Sequence, residues 1–182
     1  MTEVRIRKAK VEDAPMIARV VCMALGGDES HPMYPVFLEL AGCDYAQYSY
    51  RNVMVAEVAG CFVGAVVGYD GGKLKELRAP IFALIQKHLG KTLEIEDETA
   101  AGEFYLDSIA VLPAYRGCGI GRRLLEQRIQ QAFNEGYDTI GLLVDKENPR
   151  AEALYSSLGF ERINPTTFLG HPMWHLQVKA EK

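Results

Sequence analysis

Arg116-Gly117-Cys118-Gly119-Ile120-Gly121-Arg122 is the segment of this 182-residue chain with the clearest chemistry. It follows a run at 104–112 with strand composition and opens a run at 119–136 with helical periodicity. The first turn of a helix carries backbone N–H groups without intrahelical partners, and the helix dipole places partial positive charge there. Three glycines remove the Cβ atoms that would keep a phosphate off the backbone. Arg116 and Arg122 add full charges. Hydrogen bonds to charged groups contribute ~1.5–3 kcal/mol each, so several together hold a pyrophosphate without a metal.

The residues exclude the common nucleotide loops. A Walker loop needs Lys-Ser/Thr after its second glycine, and none follows. The pattern G-x-G-x-x-G begun at Gly117 meets Arg122 at its third glycine, and begun at Gly119 it meets Leu124. Cys22, Cys43, Cys61 and Cys118 form no C-x-x-C pair and have neither zinc nor disulfide-framework spacing. They read as reduced thiols, and Cys118 reads as a small turn residue ahead of any covalent role. His31, His88, His171 and His175 show no metal spacing, so no metal site is expected.

The elements that must position this loop follow from periodicity. Val4-Arg5-Ile6-Arg7 alternates as a strand, and a helix opened near Asp13 places Met16, Ile17, Val20, Val21 and Ala24 on one face. Residues 36–40 suit a short helix. The aromatics Tyr34, Phe37, Tyr45, Tyr48 and Tyr50 either pack beneath a loop or line an acceptor pocket. Residues 53–58 and 61–69 read as a hairpin. Residues 73–90 have helical spacing broken by Pro80 and capped by Gly90, and the acidic 94–101 stretch reads as an exposed loop. Thr139 to Val144 is a short strand. Asn148 caps a helix with Pro149 at its first position and a buried stripe of Ala151, Leu154, Tyr155 and Leu158. A last strand covers 174–178. Strand, helix, strand from 104 onward implies a parallel pair beside the antiparallel hairpin, hence a mixed sheet.

Composition bounds the function. The chain is 48% hydrophobic and 24% charged, enough for a core in one domain over 1–182. A net charge of -4 argues against nucleic acid and mildly favours cationic partners such as amines. No signal-peptide core and no apolar run long enough for a membrane span occur, so a cytoplasmic protein is expected.

R-x-x-G-x-G resembles the pyrophosphate-binding signature of the GNAT superfamily of N-acetyltransferases. The likeness extends over Tyr105-Leu106-Asp107-Ser108-Ile109-Ala110-Val111-Leu112-Pro113-Ala114-Tyr115 before the loop and Leu124-Leu125 after it. About 30 residues on, Asn148, Ala151, Leu154-Tyr155 and Leu158-Gly159-Phe160 resemble the family's next helix. Together these motifs cover residues 103–162, whereas 28–50 and 73–101 read as insertions or specificity elements. The resemblance implies an α+β fold in three α/β/α layers. Its sheet is mixed, mostly antiparallel and six- to seven-stranded, with a splayed parallel pair.

It also implies direct transfer of an acetyl group from acetyl-CoA to a small-molecule or peptide amine, with a homodimer as one assembly. The pyrophosphate would meet Arg116, Gly117, Cys118, Gly119, Ile120, Gly121 and Arg122. The pantetheine arm would meet the backbone of Ile109, Ala110 and Val111, and Asn148, Ala151 and Tyr155 complete the cofactor side. A lysine-like amine of pKa about 10.4 costs roughly 4.6 kcal/mol to deprotonate at pH 7, so a base is useful. Glu103, 13 residues before Arg116, is one candidate and Asp107 the other, since alternate strand residues share a face. Either carboxylate is equally a solvated strand-end charge. Tyr155 is the candidate proton donor to the leaving thiolate, or else a core aromatic. Two other classes stay open: a catalytically silent acyl-CoA sensor, and a nucleotide-phosphate binder, against which the missing loop residues weigh.

Overall fold

The structure, a computed structural model, describes residues 3–180. β1 (Val4–Lys8) leads into α1 (Ala14–Ala24), which carries Pro15 in its first turn, where a missing N–H breaks no helical hydrogen bond. Asp13 does not cap α1 through its side chain. Its carboxylate accepts instead from Arg7 Nη1 and Nη2 (2.7 and 3.0 Å) and from the Lys10 N–H (2.7 Å). α2 (Tyr34–Gly42) is longer than the short helix expected at 36–40. β2 (Val53–Val58) and β3 (Cys61–Asp70) form the expected hairpin through Ala59 and Gly60, both at positive φ.

α3 (Leu74–Leu89) corrects one expectation, because it runs unbroken through Pro80. Proline removes one N–H and crowds the preceding turn. Leu74, Leu77, Ile81 and Ile85 are all buried on one face and hold the helix against the core. Gly90 closes it in the left-handed conformation (φ 62°), as expected.

β4 (Phe104–Val111), α4 (Ile120–Asn134), β5 (Thr139–Asp145) and α5 (Pro149–Ser156) follow in the anticipated order. The stripe on α5 is only half-buried, since this short helix packs at the rim of the sheet. β6 (Glu161–Phe168) had no counterpart in the periodicity, and β7 (His171–Lys179) is longer than the 174–178 strand foreseen. β6 is largely exposed, carries Pro165 and pairs on one side only. An edge strand needs neither alternation nor every N–H, so its pattern is weak.

The seven strands form one sheet in the order β1-β2-β3-β4-β5-β7-β6. Every pairing is antiparallel except β4 with β5. That parallel contact lasts three residues, Phe104↔Ile140, Tyr105↔Gly141 and Leu106↔Leu142, and then the strands part. β4 keeps its other edge on β3, with a bulge in which Asp107 is the extra residue between Leu106 (opposite Gly68) and Ser108 (opposite Val67). α1, α2 and α3 cover one face through Ile17, Val21, Leu40 and Ile85. α4 covers the other, with Ile120, Leu124 and Leu125 packed in one core with Phe104, Leu106, Ile140 and Leu142. The result is the expected mixed α/β/α architecture.

Gly141 is required where the parallel strands touch. The Glu103 carboxylate lies directly over it, where a Cβ at 141 would overlap Oε1, Oε2 and Cδ. Gly141→Ala is expected to lower stability by about 1–3 kcal/mol or more through overpacking. Urea denaturation at neutral pH measures this, and an unchanged midpoint would mean that the carboxylate yields freely.

Candidate active site

The glycine loop lies where β4 ends. A short 3-10 turn, Pro113–Tyr115, leads from β4 into it, and Arg116, Gly117, Cys118 and Gly119 are all exposed. Gly117 and Gly119 adopt left-handed backbone (φ 77° and 75°), which L side chains rarely take. Gly121 differs: a Cβ there would make only an ordinary 3.7 Å contact with Val111. The fold therefore does not require glycine at 121, and its bareness is available to a ligand. The first helical bond of α4 is Arg123 N–H to the Gly119 carbonyl (3.1 Å). The N–H groups of Ile120, Gly121 and Arg122 precede it and have no intrahelical acceptor.

The two arginines separate. Arg116 stays with the loop, donating through Nε to the Val111 carbonyl (3.0 Å). Arg122 turns toward the end of α5, donating to Ser157 Oγ (3.0 Å) and the Ser157 carbonyl (3.2 Å) and pairing with Glu126 at 3.1 Å. Its guanidinium thus ties α4 to α5, and its contribution to an anion at the loop is indirect. Cys118 is exposed and contacts only the Arg116 carbonyl, at 3.7 Å.

Ile109, Ala110 and Val111 pair with β3 on one edge through Val66, Ala65 and Gly64. Their other edge faces the gap left by β5. Across that gap Asn148 caps α5, accepting from the Ala151 N–H (3.1 Å). Tyr155 follows on the same helix against Phe160, with ring centroids 6.0 Å apart. Burial lifts its phenol to about 12, so at neutral pH it keeps its proton. Its hydroxyl makes no hydrogen bond among the described residues.

Glu103 and Asp107 do not converge as strand alternation suggested. Glu103 is 5% exposed and fully engaged. It accepts from Thr99 Oγ1 (2.7 Å) and Gln177 Nε2 (2.7 Å) and contacts His175 Nε2 (2.9 Å). Burial alone would raise its carboxyl, but the hydrogen bonds from His175, Thr99 and Gln177 outweigh it and hold the pKa below its ordinary value. It thus locks β4 to β7 across Gly141, a poor position from which to take a substrate proton. Asp107, lifted out of alternation by the bulge, belongs to a second network. It accepts from Tyr69 Oη (2.6 Å), Gln47 Nε2 (2.9 Å) and Ser108 Oγ (2.7 Å).

Glu98 joins that second network, and the sequence reading missed it. The acidic 94–101 stretch looked solvated, yet Glu98 is 8% exposed, in ion-pair contact with Arg78 of α3 and accepting from Gln47 Nε2 (2.9 Å). Burial first, and the neighbouring Asp107 charge second, push its carboxyl up from 4.5 to about 7. The available signal was Arg78, an arginine on the buried face of α3 beside Leu74, Leu77 and Ile81. Such a cation needs a buried counter-charge from elsewhere. Of the aromatics of 34–50, Phe37 and Tyr48 pack as one of the two readings expects. Phe37 and Tyr48 stack edge-on in the core (5.1 Å), the Tyr48 hydroxyl is held protonated by burial and by the charges of Asp107 and Glu98, and Tyr45 is exposed. Among the described residues no cluster of three or more His, Cys, Asp or Glu could hold a metal, and no helix is long and apolar enough to cross a membrane.

A mixed sheet whose single parallel pair splays beside a glycine-capped helix defines an acyltransferase class of fold. The family model described as the acetyltransferase (GNAT) family matches residues 16–160, and the chain belongs to that family. It is 32% identical over 151 residues to the N-alpha-acetyltransferase RimI of Mycobacterium tuberculosis, covering 83% of this chain and 74% of the relative. A crystal structure of an acetyltransferase superposes with a TM-score of 0.82 at 33% identity, over 97% of this chain and 100% of the other. The mycothiol acetyltransferase of Kocuria rhizophila is 39% identical over 82 residues, 45% of this chain, and the chain spans only 23% of that relative's length.

The raised pKa of Glu98 has a thermodynamic consequence. Between pH 4.5 and about 7 the folded chain keeps a proton that the unfolded chain has lost, so this group's contribution to stability falls as pH rises through that window. Unfolding free energies measured at pH 5 and pH 7.5 should therefore differ less in Glu98→Gln than in the parent chain. An identical slope in both would remove the carboxyl's elevated pKa from the account.

Proposed function

We propose that this chain is an amine N-acetyltransferase that uses acetyl-CoA and transfers the acetyl group directly in a ternary complex. The observation that carries the reading is the gap between β4 and β5, open to the free edge of Ile109, Ala110 and Val111 and flanked by the N–H groups that open α4. An extended amide-bearing arm can pair with that edge as an added strand. A pyrophosphate suits the N-terminus of α4, whose donors lack partners within the helix, with Arg116 beside it. Acetyl-CoA supplies the activated acetyl thioester. Asn148 and Ala151 frame the far wall of the gap on α5, and the protonated Tyr155 there donates to the departing sulfur.

On the acceptor side we assign to Asp107 the removal of the amine proton, supported by Glu98 behind it, a second carboxylate titrating near neutral pH. Glu103 acts by position, holding β7 against β4. The two acidic side chains favour a cationic amine over a neutral or anionic acceptor. Likeness to an N-alpha-acetyltransferase supports a peptide amino terminus as the first acceptor to test.

The test is release of free CoA from acetyl-CoA across a panel of peptides and small amines, beside calorimetric titration of acetyl-CoA. Turnover on one acceptor class supports the proposal. Tight binding with no turnover on any acceptor would favour a sensor, and absence of binding would end the acetyl-CoA reading. Tyr155→Phe is expected to lower kcat about tenfold or more with KM for acetyl-CoA little changed. In the parent enzyme kcat/KM should rise as pH passes 7, and that limb should vanish in Glu98→Gln. Its persistence in Glu98→Gln and in Asp107→Asn alike would remove both carboxylates from the proton path.

A further inference from the structure

Tyr69 of β3 and Gln47 of the loop after α2 each touch both Asp107 and Glu98, and the two acids differ in access. Asp107 is half-buried, whereas Glu98 is 8% exposed and Tyr69 and Gln47 are 2% exposed. Tyr69 Oη lies 2.6 Å from Asp107 Oδ2 and 3.2 Å from Glu98 Oε1, so its one hydrogen can point to either. Gln47 Nε2 lies 2.9 Å from each of the same two oxygens and 3.0 Å from Tyr69 Oη. Its carbonyl end accepts from Arg78 Nε (3.3 Å), which fixes the amide end toward the acids. Two N–H bonds and one O–H thus serve five contacts. The cluster is short of hydrogens, and a further proton among these oxygens is held by the surplus acceptors.

Glu98 can take that proton without stranding its partner. Arg78 contacts Glu98 through Nη2, but its Nη1 also donates to the Glu96 and Ile95 carbonyls (2.9 and 3.3 Å) and pairs with Asp97 at 3.4 Å. Tyr48 after α2, Tyr69 of β3 and Tyr105 of β4 lie beside the two acids. Burial first, and the charges of Asp107 and Glu98 second, push all three phenols well above their ordinary value, so they keep their protons at neutral pH. Burial also lifts Glu98 to about 7, closer to the pKa of an amine than an ordinary carboxyl lies. A base works best with its pKa near the working pH. Glu98 has that basicity but no access to a substrate, and Asp107 has the access.

Building on the acetyl-transfer reading above, we propose that Tyr69 is a positioning residue that relays the acceptor's proton from Asp107 to Glu98. The substrate ammonium gives its proton to Asp107 Oδ2, which frees the nitrogen lone pair for attack. That proton moves on to Tyr69 Oη as the tyrosine's own proton moves to Glu98 Oε1. The phenol is restored, Asp107 is again a carboxylate, Glu98 becomes a neutral acid, and no phenolate forms. Gln47 holds the three oxygens together through its amide. The reverse route, from Glu98 through Tyr69 and Asp107 to water, resets the site.

The test compares two pH profiles of Tyr69→Phe. Acetyl transfer should lose the rise of kcat/KM through pH 7, and kcat at pH 7.5 should fall about tenfold or more with KM for acetyl-CoA unchanged. The contribution of Glu98 to the difference in unfolding free energy between pH 5 and pH 7.5 should persist, since burial and the Asp107 charge still raise its pKa. A merely structural role for Tyr69 does not divide the two profiles in this way. Retention of the kinetic limb would overturn the relay and leave acetyl transfer standing. Loss of the limb together with the stability difference would also overturn it, since the substitution would then have abolished the titration of Glu98 itself. Absence of turnover by the parent chain on every acceptor would overturn the acetyl-transfer reading, and the relay with it. Should Tyr69→Phe fail to fold, Glu98→Asp carries the same test, because it keeps an acid but draws it back one methylene from Tyr69. Loss of the limb there supports the relay, and its retention overturns it.

Discussion

The backbone edge that β4 leaves unpaired beyond Leu106 is the constraint on which the rest of this structure turns. Hydrogen-bonding groups of a strand must be satisfied by another strand, by water or by a ligand. β5 meets β4 over three residues and then departs, so Ile109, Ala110 and Val111 are held firmly by β3 on one side and open on the other. Both helices that flank the gap are placed by the strands that make it, α4 following β4 and α5 following β5. A wedge between parallel strands thus acquires a helix N-terminus at one wall and a tyrosine-bearing helix at the other.

Keeping the strands in contact at one end is as important as letting them part at the other. Glu103 performs that task, drawing Thr99, His175 and Gln177 together above a glycine on β5. Its hydrogen bonds are worth having because they overcome the desolvation of a nearly buried carboxylate. Four residues further along β4, the bulge puts Asp107 among Tyr69, Gln47 and Ser108, with the buried pair of Arg78 and Glu98 behind it. Two carboxylates four positions apart, one just before β4 and one within it, therefore have unlike roles. The first is held ionised by its donors, and the second lies beside Glu98, whose carboxyl is pushed up to about 7 by burial and by that neighbouring charge.

Two segments outside the family motifs, 28–50 and 73–101, build the second carboxylate network. α3 and the loop after it carry Arg78 and Glu98 into the network of Asp107, and α2 with its following loop carries Gln47 and Tyr48. These segments meet β3 and β4 in one polar network, in which Gln47 Nε2 lies 2.9 Å from both Glu98 and Asp107.

The sequence by itself determined the features whose physics is local. Glycines in the loop, an asparagine one residue before a helical proline, and alternating or helical apolar spacing each act within a few residues, so the loop, the capped α5 and the β4-α4-β5 crossover were legible. Pro80 misled because helix continuity there depends on the burial of Leu77, Ile81 and Ile85, a tertiary matter. β6 was hidden because an edge strand with one partner imposes little pattern on its residues. Above all, only the tertiary structure decided which carboxylate does what. Asp107 leaves the alternation of β4 through a bulge set by its pairing with β3, and Glu98 is linked to Asp107 through Gln47 and Tyr69 while it pairs with Arg78, 20 residues away in the chain. Desolvation and charge proximity set the chemistry of a buried acid, and both are properties of the packed neighbourhood rather than of the residue or its spacing.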